Sequence, residues 1–355
     1  MKKSLVLIGI MILALMVFAG CSNNQVVTEE ASVNEVVENN NEVTETTEEV
    51  TEEVTEPTEK PVLRIGTLKG PTGMGMVQLM ENDELGTSEI DYEFEIVGAP
   101  DQIIGQIVQG NVDIAAVPSN MGAVLDVKTE GKIQLLAVNT LGVLYIVENG
   151  ETIQSLDDLK GQTVVASGKG ASPEYIINYL LAENGLTDDV TVDYVMEHSE
   201  VAAKVTTGDA PIVLLPQPFV TSVSLGNESN RIAIDLTEEW EKATDGLMLP
   251  MGAIVVNKAF AEENPEVIAK FMEEYKASVD FVNASPADAG VLVEKFGIIP
   301  KAALATKAIP NCNITLIPAQ EAKTSLQQFF EILHGFNPKS VGGKLPEDTF
   351  YYEGK

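Results

Sequence analysis

The stretch LRIGTLKGPTGMGM, residues 63–76, and its counterpart TVVASGKGASPEYIINYL, residues 163–180, decide the fold. Each opens with a short apolar run containing β-branched residues, breaks at a glycine-rich loop and continues in a helical pattern. Each therefore reads as strand, loop, helix. Units of this kind build a mostly parallel sheet flanked by helices. Meeting the unit a second time predicts an α/β chain folded into two lobes.

Outward from the first stretch, the patterns predict strands over 63–68, 92–97, 113–117, 133–138 and 143–147, with helices over 76–80 and 102–109. Gly110 and Asn111 end the second of these helices. A capped turn at 155–159 precedes the second stretch, whose helix spans 173–184 with Pro173 in its first turn and Gly185 past its end. Strands at 190–194, 212–215 and 232–235 complete a second sheet. Residues 253–256 read as a strand returning to the first lobe, followed by helices over 265–284, 286–296, 301–308 and 319–334. Two crossings, near 141–145 and 249–253, imply a hinge with a cleft between the lobes. The expected boundaries are 61–142 with 251–355 for the first lobe and 143–250 for the second.

The amino terminus sets the compartment. Lys2 and Lys3 precede an apolar run from 5 to 19 that closes on Gly20 and Cys21. That run is shorter than the ~20 residues of a bilayer span, so residues 1–20 read as a signal peptide. Residues 17–21, VFAGC, resemble a bacterial lipobox, in which Cys21 carries diacylglycerol and palmitate and anchors the mature chain to the outer face of the cell membrane, or in the periplasm of a two-membrane cell. Residues 22–60 hold twelve Glu, no Asp and one Lys. With no aromatics, this segment reads as a disordered, self-repelling acidic tether. The only other cysteine is Cys312, so an intramolecular disulfide is excluded from the mature body, which must stand on its core. Net charge is −32 and basic residues never form a run, which excludes nucleic acid as a partner. The 295 residues from Pro61 suffice for two lobes in a monomer.

In this frame the sequence resembles the substrate-binding proteins of ATP-binding-cassette importers, of the type grouped with nitrate, sulfonate, taurine and thiamine-precursor binders. Residues 110–115, GNVDIA, resemble that family's glycine-to-aspartate step before a ligand loop. Residues 155–161, SLDDLKG, resemble the step that opens its second lobe, and the likeness runs from about 62 to 337. The resemblance implies a two-lobed periplasmic-binding-protein fold: two mixed sheets flanked by helices, with the ligand cleft between lobes. It implies capture of a small organic molecule, sulfonate- or taurine-like or an aromatic heterocycle, for a membrane permease and its ATPase. The sequence departs from an arginine-clamped oxyanion site, because Arg64 and Arg231 are its only arginines and neither lies in a predicted ligand loop.

Candidate ligand contacts follow from the loops. In the first, a helix start and free backbone N–H groups face the cleft, with Thr72 and Gly73, charge from Lys69 and an apolar wall from Met74. In the mirror loop Gly170, Ala171 and Ser172 hold the same place, and Tyr175 is the nearest aromatic. Ser119, Asn120, Asn139, Thr140 and Gln217 follow strands at their carboxyl ends, where ligands of open α/β sheets bind. His198 and His334 lie far apart, no spacing matches a metal site, and no cofactor is implied. The competing reading is an enzyme on the same bilobal scaffold, like those of menaquinone or thiamine-pyrimidine synthesis. The glycine loops show no nucleophile beside a base, so no catalytic residue is assigned.

Overall fold

The computed structural model describes residues 60–354, which fall in one compact unit. The signal peptide, Cys21 and the acidic tether lie outside the described residues. Chain order is β1 (Val62–Leu68), α1 (Pro71–Met74), α2 (Val77–Glu84), β2 (Asp91–Val97), α3 (Pro100–Gln109), β3 (Ile114–Pro118), α4 (Ser119–Lys128), β4 (Ile133–Thr140) and β5 (Leu144–Asn149). There follow β6 (Thr163–Ala166), α5 (Ser172–Glu183), β7 (Thr191–Tyr194), α6 (His198–Thr207), β8 (Ile212–Pro216), α7 (Phe219–Gly226), β9 (Asn230–Asp235) and α8 (Leu236–Ala243). The rest is β10 (Gly252–Asn257), α9 (Lys258–Glu263), α10 (Pro265–Ala284), α11 (Pro286–Lys295), α12 (Ala302–Ala308), β11 (Ile314–Pro318) and α13 (Ala319–Phe336).

The expected architecture is present. One sheet runs β11-β4-β10-β3-β1-β2 and the other β7-β6-β8-β5-β9. In the first, β1 lies parallel to β2 and β3, and β10 is antiparallel to both β3 and β4. In the second, β6 lies parallel to β7 and β8, and β5 is antiparallel to both β8 and β9. Apart from the additional edge strand β11, antiparallel to β4, the two sheets repeat one order, and in each the antiparallel strand is the one that begins just after the chain has crossed between lobes. The crossings lie side by side, since Met251 N–H donates to Thr140 O at 2.9 Å. A side chain at Gly142 would overlap Thr237, so only glycine fits at the first crossing.

Besides α6 and α9, for which no helix is expected, four elements differ from the sequence expectation. Pro71–Met74 is a helical turn rather than open loop. Residues 119–128, SNMGAVLDVK, form α4 although they show no apolar stripe; the helix is buried on most sides, so it has no polar face to reveal its period. The β-branched run of α7, FVTSVSLG, has low intrinsic helix propensity and is helical through packing of Val220 and Val223. The short strand β11 follows Asn313, whose φ of 44° turns the chain back against β4.

The carboxyl-terminal segment, expected in the first lobe, touches both. Helix α13 packs on β4 and β11 of the first lobe and on α5 of the second. An aromatic chain follows it. Tyr179 meets Trp240 at 5.3 Å, Trp240 meets Phe329 at 5.6 Å, and Phe330 and Phe350 continue to Tyr351. Tyr351 bridges to Leu135 of β4, so one core runs from the second lobe through α13 into the first.

Both arginines serve the scaffold. Arg64 forms a two-pronged bond to Asp113, with Nε–Oδ2 2.9 Å and a guanidinium nitrogen 2.5 Å from Oδ1. Arg231 lies 2.6 Å from Glu148, whose carboxylate also accepts from Thr152 N and Ile153 N at 2.9 and 3.1 Å. Burial alone would raise the Glu148 pKa, but the Thr152 and Ile153 donors with the Arg231 charge outweigh it and hold the carboxyl below its ordinary 4.5. A depressed carboxyl contributes stability above its unfolded pKa and loses it as pH falls through the folded value. Arg231→Ala should therefore cost about 3 kcal/mol in denaturant unfolding at pH 7, because Glu148 stays buried without its partner. The gap from wild type should narrow as pH drops below 4.5.

Candidate binding cleft

The carboxyl ends of β1, β3 and β4 in the first lobe face those of β6 and β8 in the second, and the predicted residues fall into three groups there. The first spans the lobes. Asn120, in the first turn of α4, donates through Nδ2 to Ser340 O at 3.0 Å and accepts at Oδ1 from the Ser172 hydroxyl, also at 3.0 Å. Ser172 is the first residue of α5, so helix starts from the two lobes meet in one side-chain hydrogen bond. Ser119, just before Asn120, is wholly buried, and its hydroxyl has no hydrogen-bond partner among the described residues.

The second group lies behind the crossing. Asn139 Nδ2 donates to Tyr275 Oη at 3.2 Å, and Thr140 Oγ1 lies 3.5 Å from Asn139 Oδ1. A Cβ on Gly252 would sit 2.5 Å from Asn139 Oδ1 and 3.0 Å from the Thr72 methyl, which places Thr72, Asn139 and Thr140 together around that glycine. Gln217, at the end of β8, accepts at Oε1 from both the backbone and the hydroxyl of Thr221, at 3.2 and 2.8 Å. Its amide nitrogen makes no hydrogen bond among the described residues.

The third group is not brought to the cleft as free ligand donors. Gly73 is packed so that a Cβ would lie 2.5 Å from Leu68 O; the glycine answers a close approach within its own chain. Met74 is fully buried in the first-lobe core and Tyr175 lies in the core shared with α13. Gly170 has φ 81° and its N–H donates to Glu174 Oε2 at 2.5 Å, with Ala171 as the extended residue before α5, so the mirror loop closes on its own helix.

A cavity of about 230 Å³ opens between the lobes. Lys69 and Gly70 line it with residues 297–300 on the first-lobe side, and Pro218, Phe219 and Ser222 on the other. Lys69 is exposed and forms no ion pair among the described residues. Residue pattern alone does not point to the 297–300 turn, which is far from the glycine loop in the chain.

One pair overturns an expectation. Ser167 Oγ, at the end of β6, lies 2.5 Å from His198 Nδ1, at the start of α6. A hydroxyl beside an imidazole was not recognised because 31 residues separate them. Burial pulls the His198 pKa down to about 4, so the ring is neutral near pH 7.

Residues 125–289 match the model of the family described as NMT1/THI5 like. A solved ABC transporter protein from Parabacteroides distasonis is 25% identical over 83% of this chain and 99% of its own, with TM-score 0.70. The periplasmic aliphatic sulphonate binding protein SsuA from Escherichia coli is 17% identical, covering 84% of this chain and 94% of its own at TM-score 0.67. The alkanesulfonate-binding protein SsuA from Xanthomonas axonopodis pv. citri, bound to MOPS, is 15% identical over 82% and 96% at TM-score 0.62. This is a substrate-binding-protein fold. The resemblance read from the sequence is thus met by a family model and by solved structures alike. A search of curated protein sequences finds no match.

The Asn120–Ser172 bond ties the two lobes together, which gives it a measurable role. Ser172→Ala would leave Asn120 Oδ1 buried without its donor, at about 1–2 kcal/mol. Denaturant unfolding should show that loss, and small-angle scattering of the ligand-free protein should show a larger radius of gyration than wild type.

Proposed function

We propose that this chain is the solute-binding component of an ABC importer, held outside the cell by a lipid on Cys21, and that it delivers a small organic molecule to a permease driven by an ATPase. The observation that carries the ligand class is the start of α4. Its first turn holds no acidic residue, so the positive end of the helix dipole is not offset there, and the buried Ser119 hydroxyl lacks a partner among the described residues. Lys69 adds a positive charge at the interlobe cavity, while both arginines are committed to Asp113 and Glu148. A lysine without an ion pair among the described residues, at a cavity lined mostly by apolar side chains, suits a single negative charge on an organic body. The proteins of known binding role that share the fold include sulphonate binders, which supports the same class.

The enzyme alternative has one observation in its favour, the Ser167–His198 pair. A general base works best with a pKa near the operating pH. At about 4 the imidazole is too weak a base to activate a serine near neutrality, which favours binding over hydrolysis.

Two measurements test this reading. In a thermal-shift screen of taurine, alkyl and aryl sulfonates, nitrate and the thiamine pyrimidine, an organic sulfonate should raise the melting temperature, since a ligand that binds only the folded state stabilises it. Lys69→Ala should weaken that ligand about tenfold; a panel with no stabilising member would sink the ligand class. Separately, Cys21→Ala should release the protein to the medium or leave it unprocessed, and normal processing with membrane retention would refute the anchor.

A further inference from the structure

Phe219 opens α7 and lines the interlobe cavity across from Lys69, Gly70 and the apolar turn formed by Ile298, Ile299 and Pro300. The aromatic ring it meets is His198, centroid to centroid 5.5 Å at a tilt of 45°. His198 is fixed in turn by Ser167, which is 2% exposed and bonded to Nδ1 at 2.5 Å. Three carboxyl-end loops of the second lobe are thereby tied in series: the end of β6 holds the start of α6, and the start of α6 backs the start of α7. Because the imidazole is neutral, it packs against Phe219 as an uncharged ring without bringing a competing charge to the wall.

We propose that Ser167 and His198 form a positioning pair that sets Phe219 as a flat wall of the ligand cavity and so selects molecules whose anionic group is carried on a planar ring. The proposal rests on reading the interlobe cavity as part of the ligand site. A phenylalanine in the first turn of a helix can take several rotamers, and a ligand that must freeze one of them binds more weakly. Backing by His198 removes that cost in advance. A ring seated between Phe219 and the aliphatic side chains opposite gains the offset or edge contacts that aromatic faces favour. The cavity of about 230 Å³ is of a size that suits a single ring. Lys69 supplies the positive charge for the ring's anionic substituent.

The test uses benzenesulfonate and taurine, one sulfonate with a ring and one without, in titration calorimetry on the full folded chain. Wild type should bind benzenesulfonate more tightly. His198→Ala should weaken benzenesulfonate at least tenfold and Ser167→Ala at least threefold, while taurine changes less than twofold in either. Equal losses for both probes would mean a general structural role and overturn the proposal. A second readout needs no ligand: 4-fluorophenylalanine placed at 219 should give one sharp fluorine resonance that broadens or splits in Ser167→Ala. An unchanged line overturns the positioning role even if binding falls. Should wild type bind neither sulfonate, the ligand class fails, and the fluorine line alone then decides the Ser167–His198 assignment.

Discussion

Each lobe's sheet is closed by a strand that enters from an interlobe crossing. In the first, the parallel set β2-β1-β3 is joined to β4 only through β10, which arrives after the whole second lobe has been built. In the second, β5 arrives directly from the crossing and becomes the strand between β8 and β9. The crossing strands are therefore interior, bonded on both edges, and the hinge begins and ends in firmly held backbone. The same connectivity fixes where a ligand can sit. Carboxyl ends of the parallel strands all open toward the crossings, and those ends are where open α/β sheets leave a crevice.

Charge is distributed in keeping with that geometry. Arg64 stands near the amino end of β1 and Arg231 near that of β9, and each neutralises a nearly buried carboxylate. A guanidinium so placed cannot reach the cleft without stranding an acidic partner in a low-dielectric site. Both guanidinium groups are thereby withheld from the cleft, and Lys69 is an exposed cation at the interlobe cavity. In a chain of net charge −32 this also avoids a concentrated basic site that surface carboxylates would compete to fill.

Much of the fold was legible because its signals are local. Period-two apolar runs, glycine breaks and Pro173 at a helix start located most of the strands and the longer helices. Three of the missed elements lack a local signal: α4 has no polar face, α7 is rich in β-branched residues, and β11 depends on the turn at Asn313. The cleft divides along the same line. Position at a strand end singled out Asn120, Asn139, Thr140 and Gln217, since that follows from element order. Partnership could not be read, because Asn120 with Ser172 and Ser167 with His198 meet only through the tertiary fold. Gly73 shows the opposite error, a glycine in a conspicuous loop whose small size serves a contact with Leu68 O.

The aromatic chain along α13 has an optical consequence. Trp240 is the chain's single tryptophan, fully buried, with an indole N–H that has no hydrogen-bond partner among the described residues. It stands between Tyr179 of the second lobe and Phe329 of the helix that runs on to the first. Its emission is thus a one-fluorophore signal from the seam on which both lobes rest, shifted to the blue by its dry surroundings. Any rearrangement that lets water into that seam moves the spectrum to the red, so the molecule carries an unlabelled gauge of how tightly its halves are joined.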